Sequence, residues 1–291
     1  MISNHMTELS PLLIEDLVRA ALKEDLGHGH DITSAALISP DSYMSAHLNA
    51  REDGVLAGLS IGLSAFIVMD GECDIEVHKS DGDKIKKGDK LATIEGPTRS
   101  ILAAERVCLN LASHLSGIAT QTARYVQEVK GTKAKVTCTR KTLPGLRALQ
   151  KYAVRCGGGI NHRYGLDDAI LIKDNHIAAH GSLSKALDQA RAYAGHMVKI
   201  EVEIDTMKQL EEALSHGGAD IIMLDNFTVQ DMQKAVEKIR QKQPSLTIEA
   251  SGGISLENIR KIAQTGVDII SVGALTHSVK ALDMGLDYDS H

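Results

Sequence analysis

Five cations crowd one stretch of the chain. Between Cys138 and His176, CTRKTLPGLRALQKYAVRCGGGINHRYGLDDAILIKDNH, lie Arg140, Lys141, His162, Arg163 and Lys173, with little nearby in sequence to neutralise them. Arg140 and Lys141 follow Lys133-Ala-Lys-Val-Thr-Cys, a β-branched run that reads as a strand passing into a loop. Lys173 ends Ala169-Ile-Leu-Ile, which is apolar enough for a strand buried on both faces. Cations at the carboxyl ends of buried strands converge on whatever occupies the mouth of the sheet. Such a cluster repels itself unless an anion joins it, so an anionic-ligand site is expected here rather than a solvated basic surface.

Two glycine loops point the same way. Ser251-Gly-Gly-Ile follows a strand and precedes Ser255-Leu-Glu-Asn, which reads as the opening of a helix, and Ser271-Val-Gly-Ala follows the next strand. Glycines let backbone N–H groups approach phosphate oxygens, and a helix N-terminus adds partial positive charge. Acids complete the set. Lys199-Ile-Glu-Val-Glu-Ile alternates, so Glu201 and Glu203 share a side, with Lys199 expected on it too. Asp225, in Met223-Leu-Asp-Asn, ends the next strand. Glu203 and Asp225 on adjacent strand ends suit a Mg²⁺ ion held partly by substrate oxygens and water; the other reading pairs them with Lys141 or Lys173. Arg106 has no acid three or four residues away on its helix, so it either meets a carboxylate or phosphate at a contact or snorkels at the surface.

The elements that must position these residues change character along the chain. Leu12–Leu26 has helical spacing ended by Gly27, and GHGHDITSAAL reads as a loop. From Ser45 to Glu95 the pattern is short strands with turns at Asp81-Gly82 and Gly88-Asp89, a hammerhead shape without the attachment lysine of a carrier domain. Pro97–Gly131 reads as helix, in two segments bent near Gly117. Thereafter strands (135–139, 169–173, 198–203, 220–224, 246–250, 268–272) alternate with helices (146–155, 183–194, 207–216, 229–242, 256–265). A βα unit repeating about every 25 residues implies a parallel sheet with right-handed crossovers. Because nearly every strand ends in a polar or glycine position, a barrel fits better than an open sheet, which concentrates its site at one crevice. Six strands are clear; the barrel is either incomplete or has a polar strand near Gly159–His162.

Composition narrows the class. At 291 residues and 43% hydrophobic, with no tryptophan, the chain can form one large domain or a barrel with a smaller companion, packed by aliphatic side chains. A formal charge of −6 argues against nucleic acid as partner. Cys73, Cys108, Cys138 and Cys156 lack metal spacing and read as reduced cytoplasmic thiols. No apolar run approaches membrane-spanning length, and MISNHMTELS lacks the apolar core of a signal peptide.

Taken together, EDLGHGHDITS, ERVCLNLASHLSGIAT, TRKTLPGLR, GGGINHRYGL, IKDNH, EVE, MLDN, EASGGI and SVGALTHS resemble the quinolinate phosphoribosyltransferase family, in order and over nearly the whole chain. The resemblance implies an α/β fold: an N-terminal α/β sandwich with its linking helix over residues 7–116, an incomplete, seven-stranded α/β barrel over 117–280, and a tail over 281–291. It implies a cytoplasmic enzyme of pyridine nucleotide biosynthesis that converts quinolinate and phosphoribosyl pyrophosphate to nicotinate mononucleotide, pyrophosphate and CO₂ with Mg²⁺. It also implies a homodimer with shared sites. In that family Arg106, from the partner subunit, with Arg140, His162 and Arg163 would hold the quinolinate carboxylates. Lys141 and Lys173 would meet pyrophosphate and substrate anions, and Glu203 and Asp225 the ribose hydroxyls and Mg²⁺. Lys141, Lys173, Glu203 and Asp225 are thus the implied catalytic set. Ser251, Gly252, Gly253 and Gly273 would cradle the 5′-phosphate near His277, with Thr139, Ser271 and Val272 completing the substrate contacts. Three competitors stand beside this reading: a related pyrophosphorylase-like protein associated with molybdate transport, a barrel lyase using Lys173 as a Schiff base, and a non-catalytic carrier module.

Overall fold

The structure, a computed structural model, describes residues 9–288. In chain order its elements are α1 (Pro11–Leu26), α2 (Ile32–Leu37), β1 (Tyr43–Ala50), β2 (Gly54–Val55), α3 (Leu59–Met69), β3 (Asp74–Val77), β4 (Lys84–Ile85), β5 (Lys90–Pro97), α4 (Thr98–Glu128), β6 (Lys135–Thr137), α5 (Arg147–Cys156) and β7 (Ile170–Ile172). They continue with α6 (Asp174–His180), α7 (Leu183–Tyr193), β8 (Ile200–Ile204), α8 (Met207–His216), β9 (Ile221–Asp225), α9 (Val229–Lys242), β10 (Thr247–Ser251), α10 (Ile259–Gln264), β11 (Ile269–Ser271), α11 (Ala274–His277) and β12 (Met284–Tyr288). The chain divides into two compact units. One holds residues up to Ala123 together with Ala148–Gly158 and the chain from Ser278 on; the other holds Arg124–Arg147 and Gly159–His277.

The first unit is built on an antiparallel four-stranded sheet in the order β12-β1-β5-β3, with β2 and β4 as a separate pair. Its core joins Val18 and Leu22 of α1, Leu48 of β1, Leu63 and Phe66 of α3, Ile94 of β5 and Ile101 and Val107 of α4. Four local expectations are corrected. GHGHDITSAAL is not all loop: Asp31 caps α2, its carboxylate accepting the N–H groups of Thr33 and Ser34 at 2.9 and 3.2 Å. Leu59–Met69 is a helix rather than strand, buried on several sides, so neither a stripe nor an alternation marks it. The helix from Thr98 is continuous to Glu128. Gly117 is there for close approach, because a Cβ on it would strike the Lys280 carbonyl oxygen. The expected tail from 281 is a strand as far as Tyr288, with Leu286 of β12 paired to Leu48 of β1; residues 289–291 lie outside the described residues, as do 7 and 8.

The second unit is an incomplete α/β barrel. Six parallel strands run in the order β6-β11-β10-β9-β8-β7, and Ile160 makes a single parallel bridge to Thr137 in the place of a seventh. The polar stretch 159–162 is therefore a strand reduced to one residue. Helix α5, expected on the barrel after its first strand, clusters with the first unit from Ala148 onward. In β8 all five residues are buried. Ile200, Val202 and Ile204 face one side and Glu201 and Glu203 the other, as alternation requires in a strand covered on both faces. Lys199 does not join the two acids. It precedes the strand, is exposed, and its Nζ lies 3.3 Å from Asp220 Oδ1.

Candidate active site

The carboxyl ends of the barrel strands surround a cavity of about 740 Å³. From the loop after β6 come Thr139, Arg140 and Lys141; from the Ile160 segment, His162 and Arg163; from the end of β7, Lys173. All five basic residues read from the sequence line this one cavity. Ser251, Gly252 and Gly253 follow β10, and Ser271 and Gly273 follow β11, with Gly273 close against Lys141 and His277 of α11. Val272 is the exception among the barrel residues expected to touch substrate: its side chain is buried in the core at 1% exposure, and its N–H donates to the Thr137 carbonyl at 2.9 Å. Arg106 is exposed on α4 and belongs to the first unit.

The cations are only partly satisfied by the protein. The Nε of Arg140 is buried and has no hydrogen-bond partner. A buried donor without an acceptor is unfavourable unless a ligand supplies one. Arg163 Nη1 donates to the Ala169 carbonyl at 3.0 Å, and burial, then the neighbouring Arg140 charge, pull its pKa down. Lys173 Nζ is 3.6 Å from Glu203 Oε2, so the pairing that competes with a metal role exists. Burial nevertheless holds the Glu203 carboxyl above its ordinary range; Lys173 offsets this and Asp225 adds to it.

Sequence reasoning missed Asp205. It follows the end of β8, and with Glu203 and Asp225 it forms three carboxylates whose oxygens all lie within 4.8 Å of one another. Its pKa is raised by burial, then by Asp225. Its spacing two residues after Glu203 was the available signal, but it lies beyond the strand, where alternation no longer says where a side chain points. Two polar residues that line the cavity were also missed, Asn226 and Glu249. Asn226 adopts φ 53°, and no other non-glycine residue among those described has a positive φ. Its N–H donates to the Ser251 carbonyl at 3.0 Å and its Nδ2 to Asp225 Oδ2 at 2.5 Å, tying the β9 end to the glycine loop.

That loop differs from expectation in one respect. The helix after Ser251-Gly-Gly-Ile begins at Ile259 rather than Leu256. The loop is closed instead by Asn258, whose Oδ1 accepts from the Ser255 N–H at 2.9 Å and whose Nδ2 donates to the Gly253 carbonyl at 2.8 Å.

Cations, a glycine loop and a cluster of acids around the open end of a parallel barrel define an enzyme that handles a polyanionic substrate. Comparison with known proteins names the class. Residues 31–116 match the family described as quinolinate phosphoribosyl transferase, N-terminal domain, and residues 118–287 match its C-terminal domain. The chain is 48% identical over 277 residues to the nicotinate-nucleotide pyrophosphorylase [carboxylating] of Mycobacterium leprae, covering 94% of this chain and 96% of that protein. It is 46% identical over 282 residues to the probable enzyme of the same name in Bacillus subtilis, covering 96% and 94%. The crystal structure of NadC from Streptococcus pyogenes superposes with a TM-score of 0.91 at 44% identity, covering 98% of this chain and 100% of that one. The chain belongs to the quinolinate phosphoribosyltransferase family, and it is a phosphoribosyltransferase.

Proposed function

We propose that this enzyme joins quinolinate to the ribose of phosphoribosyl pyrophosphate, yielding nicotinate mononucleotide, pyrophosphate and CO₂ as a step in NAD biosynthesis. The observation that carries the reading is the set of four cations, Arg140, Lys141, Arg163 and Lys173, on one cavity with His162, the buried Arg140 Nε lacking a partner. Quinolinate is a dianion, and guanidinium forks match carboxylates in both charge and shape. In this reading Arg140 and Arg163 bind the carboxylates, His162 beside them has its ring nitrogens engaged by Glu201 and the Arg163 N–H, and the Ser251–Gly253 and Gly273 backbone holds the 5′-phosphate.

The pyridine nitrogen lone pair attacks the anomeric carbon as its bond to pyrophosphate breaks, the electron pair leaving with pyrophosphate. Positive charge builds on the ribose, where Glu203 and Asp225 stabilise it, while Lys141 and Lys173 take up charge on the leaving group. The resulting pyridinium accepts the electron pair released when the bond to the adjacent carboxylate breaks. CO₂ departs and a proton takes its place on the ring carbon.

Glu203, Asp225 and Asp205 offer a hard-oxygen donor set suited to Mg²⁺, which would supply charge neutralisation for the leaving pyrophosphate. The ion pair between Lys173 and Glu203 disfavours a Schiff-base role, because an ammonium held by a carboxylate is a poor free-amine nucleophile. We further propose a homodimer in which Arg106 serves the partner's site. A cytoplasmic location is proposed because all four cysteines are buried free thiols. Among the described residues no helix is long and apolar enough to cross a membrane.

The test is chromatographic detection of nicotinate mononucleotide from quinolinate and phosphoribosyl pyrophosphate, with nicotinate as the comparison substrate. Nicotinate lacks one carboxylate and leaves buried donors unpaired. At ~1.5–3 kcal/mol for a charged hydrogen bond, it should be about ten- to a hundred-fold poorer. Comparable turnover of the two acids would overturn the arginine assignment.

A further inference from the structure

One titratable cluster on the barrel axis has no part in the steps above. Glu201 of β8 and Glu249 of β10 point inward on either side of the intervening strand β9. Both are almost fully buried, with side-chain exposures of 5% and 4%. His162 Nε2 lies 3.1 Å from Glu201 Oε2 and 3.6 Å from Glu249 Oε1. The other ring nitrogen, Nδ1, accepts the backbone N–H of Arg163 at 2.9 Å. Both ring nitrogens therefore have partners within the protein.

Barrel interiors are usually filled by branched aliphatic residues, and a layer of that kind would be at least as stable as two buried acids. Stability does not account for these carboxylates, whereas their placement does. The Arg163 guanidinium is anchored by a carbonyl, Ala169 O, and makes no ion pair with an acid among the described residues. An acid bonded directly to Arg163 would compete with an incoming carboxylate. An acid bonded to His162 orients the same segment at one remove and leaves the guanidinium charge available.

Resting on the function proposed above, we infer that Glu201, backed by Glu249, is a positioning residue for quinolinate. It accepts the His162 Nε2–H, which aims Nδ1 at the Arg163 N–H and fixes the segment carrying the Arg163 guanidinium into the cavity.

The test compares Glu201→Gln, which keeps an acceptor oxygen, with Glu201→Leu, which removes it at similar volume, in the full chain with Mg²⁺. The Leu variant should raise the KM for quinolinate about tenfold or more, the loss expected for one misaligned charged contact. Its KM for phosphoribosyl pyrophosphate should stay within about twofold of wild type, and the Gln variant should recover most of the quinolinate affinity. Independently, ¹⁵N spectra of histidine-labelled wild-type protein should show His162 with Nε2 protonated and Nδ1 bare, its signals identified by their loss in His162→Asn. That measurement holds even if the Leu variant fails to fold.

A protonated Nδ1 would overturn the inference, as would equal KM changes for both substrates or a Gln variant as impaired as the Leu one. So would a stoichiometric metal ion lost on Glu249→Gln, since the three side chains would then be ligands. If the wild type makes no product from quinolinate, the proposed function falls, while the spectrum still decides the hydrogen-bond arrangement.

Discussion

Replacing Gly252 with alanine should damage the phosphate loop more than backbone strain alone predicts. Gly252 sits at φ +85°, where an L-residue costs ~1–2 kcal/mol. A Cβ there would also press on Asn226, 2.6 Å from its Cγ and 2.8 Å from its backbone nitrogen. Rotating the Asn226 side chain relieves only the first contact; the second requires the main chain to move. That main chain bonds to Ser251 and carries Asp225, so the displacement should reach the acid cluster. Overpacking of this kind typically adds ~1–3 kcal/mol, for a total of ~2–5 kcal/mol. Gly181→Ala separates the two effects. Gly181 caps helix α6 in the left-handed region at φ +83°, and a Cβ added to it would meet nothing within 4 Å, so it should lose only the strain cost. Thermal unfolding of both variants, at ~2–4 °C per kcal/mol for a unit of this size, gives the difference. Steady-state kinetics should show a higher KM for phosphoribosyl pyrophosphate in Gly252→Ala and no such rise in Gly181→Ala. Equal stability losses with an unchanged KM would refute the account of this contact.

Three further outcomes are expected. Glu203→Ala, Asp225→Ala and Asp205→Asn should each raise the Mg²⁺ concentration for half-maximal activity by about tenfold or more. Calorimetric quinolinate binding should stay nearly unchanged, and any variant with a wild-type Mg²⁺ response has no metal role. Arg106→Ala and Lys141→Ala should be nearly inactive singly. Randomly exchanged mixtures should recover about a quarter of wild-type activity if sites are shared, whereas a Lys141→Ala and Lys173→Ala mixture recovers none. A dead Arg106 mixture with exchange shown by mass would place Arg106 within its own chain's site. Burial, then the Glu201 charge, push the Glu249 carboxyl up to about 8 from 4.5. A raised pKa favours the protonated form in the fold, so this stabilisation is present below about 4.5 and lost as pH rises through about 8. Wild type should therefore lose stability relative to Glu249→Gln across that window, and a pH-independent difference in unfolding midpoint would contradict it.

Much of the barrel was legible because its signals are local. Buried parallel strands are short apolar runs, helices α8 and α9 carry clean amphipathic stripes, and polar residues at strand ends announce the mouth of a barrel. Lys141, Lys173, Glu203 and Asp225 could be read in this way, and all four line the cavity. Helix α3 could not, since an element buried on several sides has no polar face to set its period. Nor could β12, whose five residues become a strand only because β1 offers an unpaired edge more than 230 residues earlier in the chain, with Asp287 opposite His47. Asp205 and Glu249 show the same limit at the site. Sequence gives the type of each carboxylate and the period of its strand. Which acids come within 4.8 Å of one another depends on the register and closure of strands that are distant in the chain, and only the folded barrel decides that.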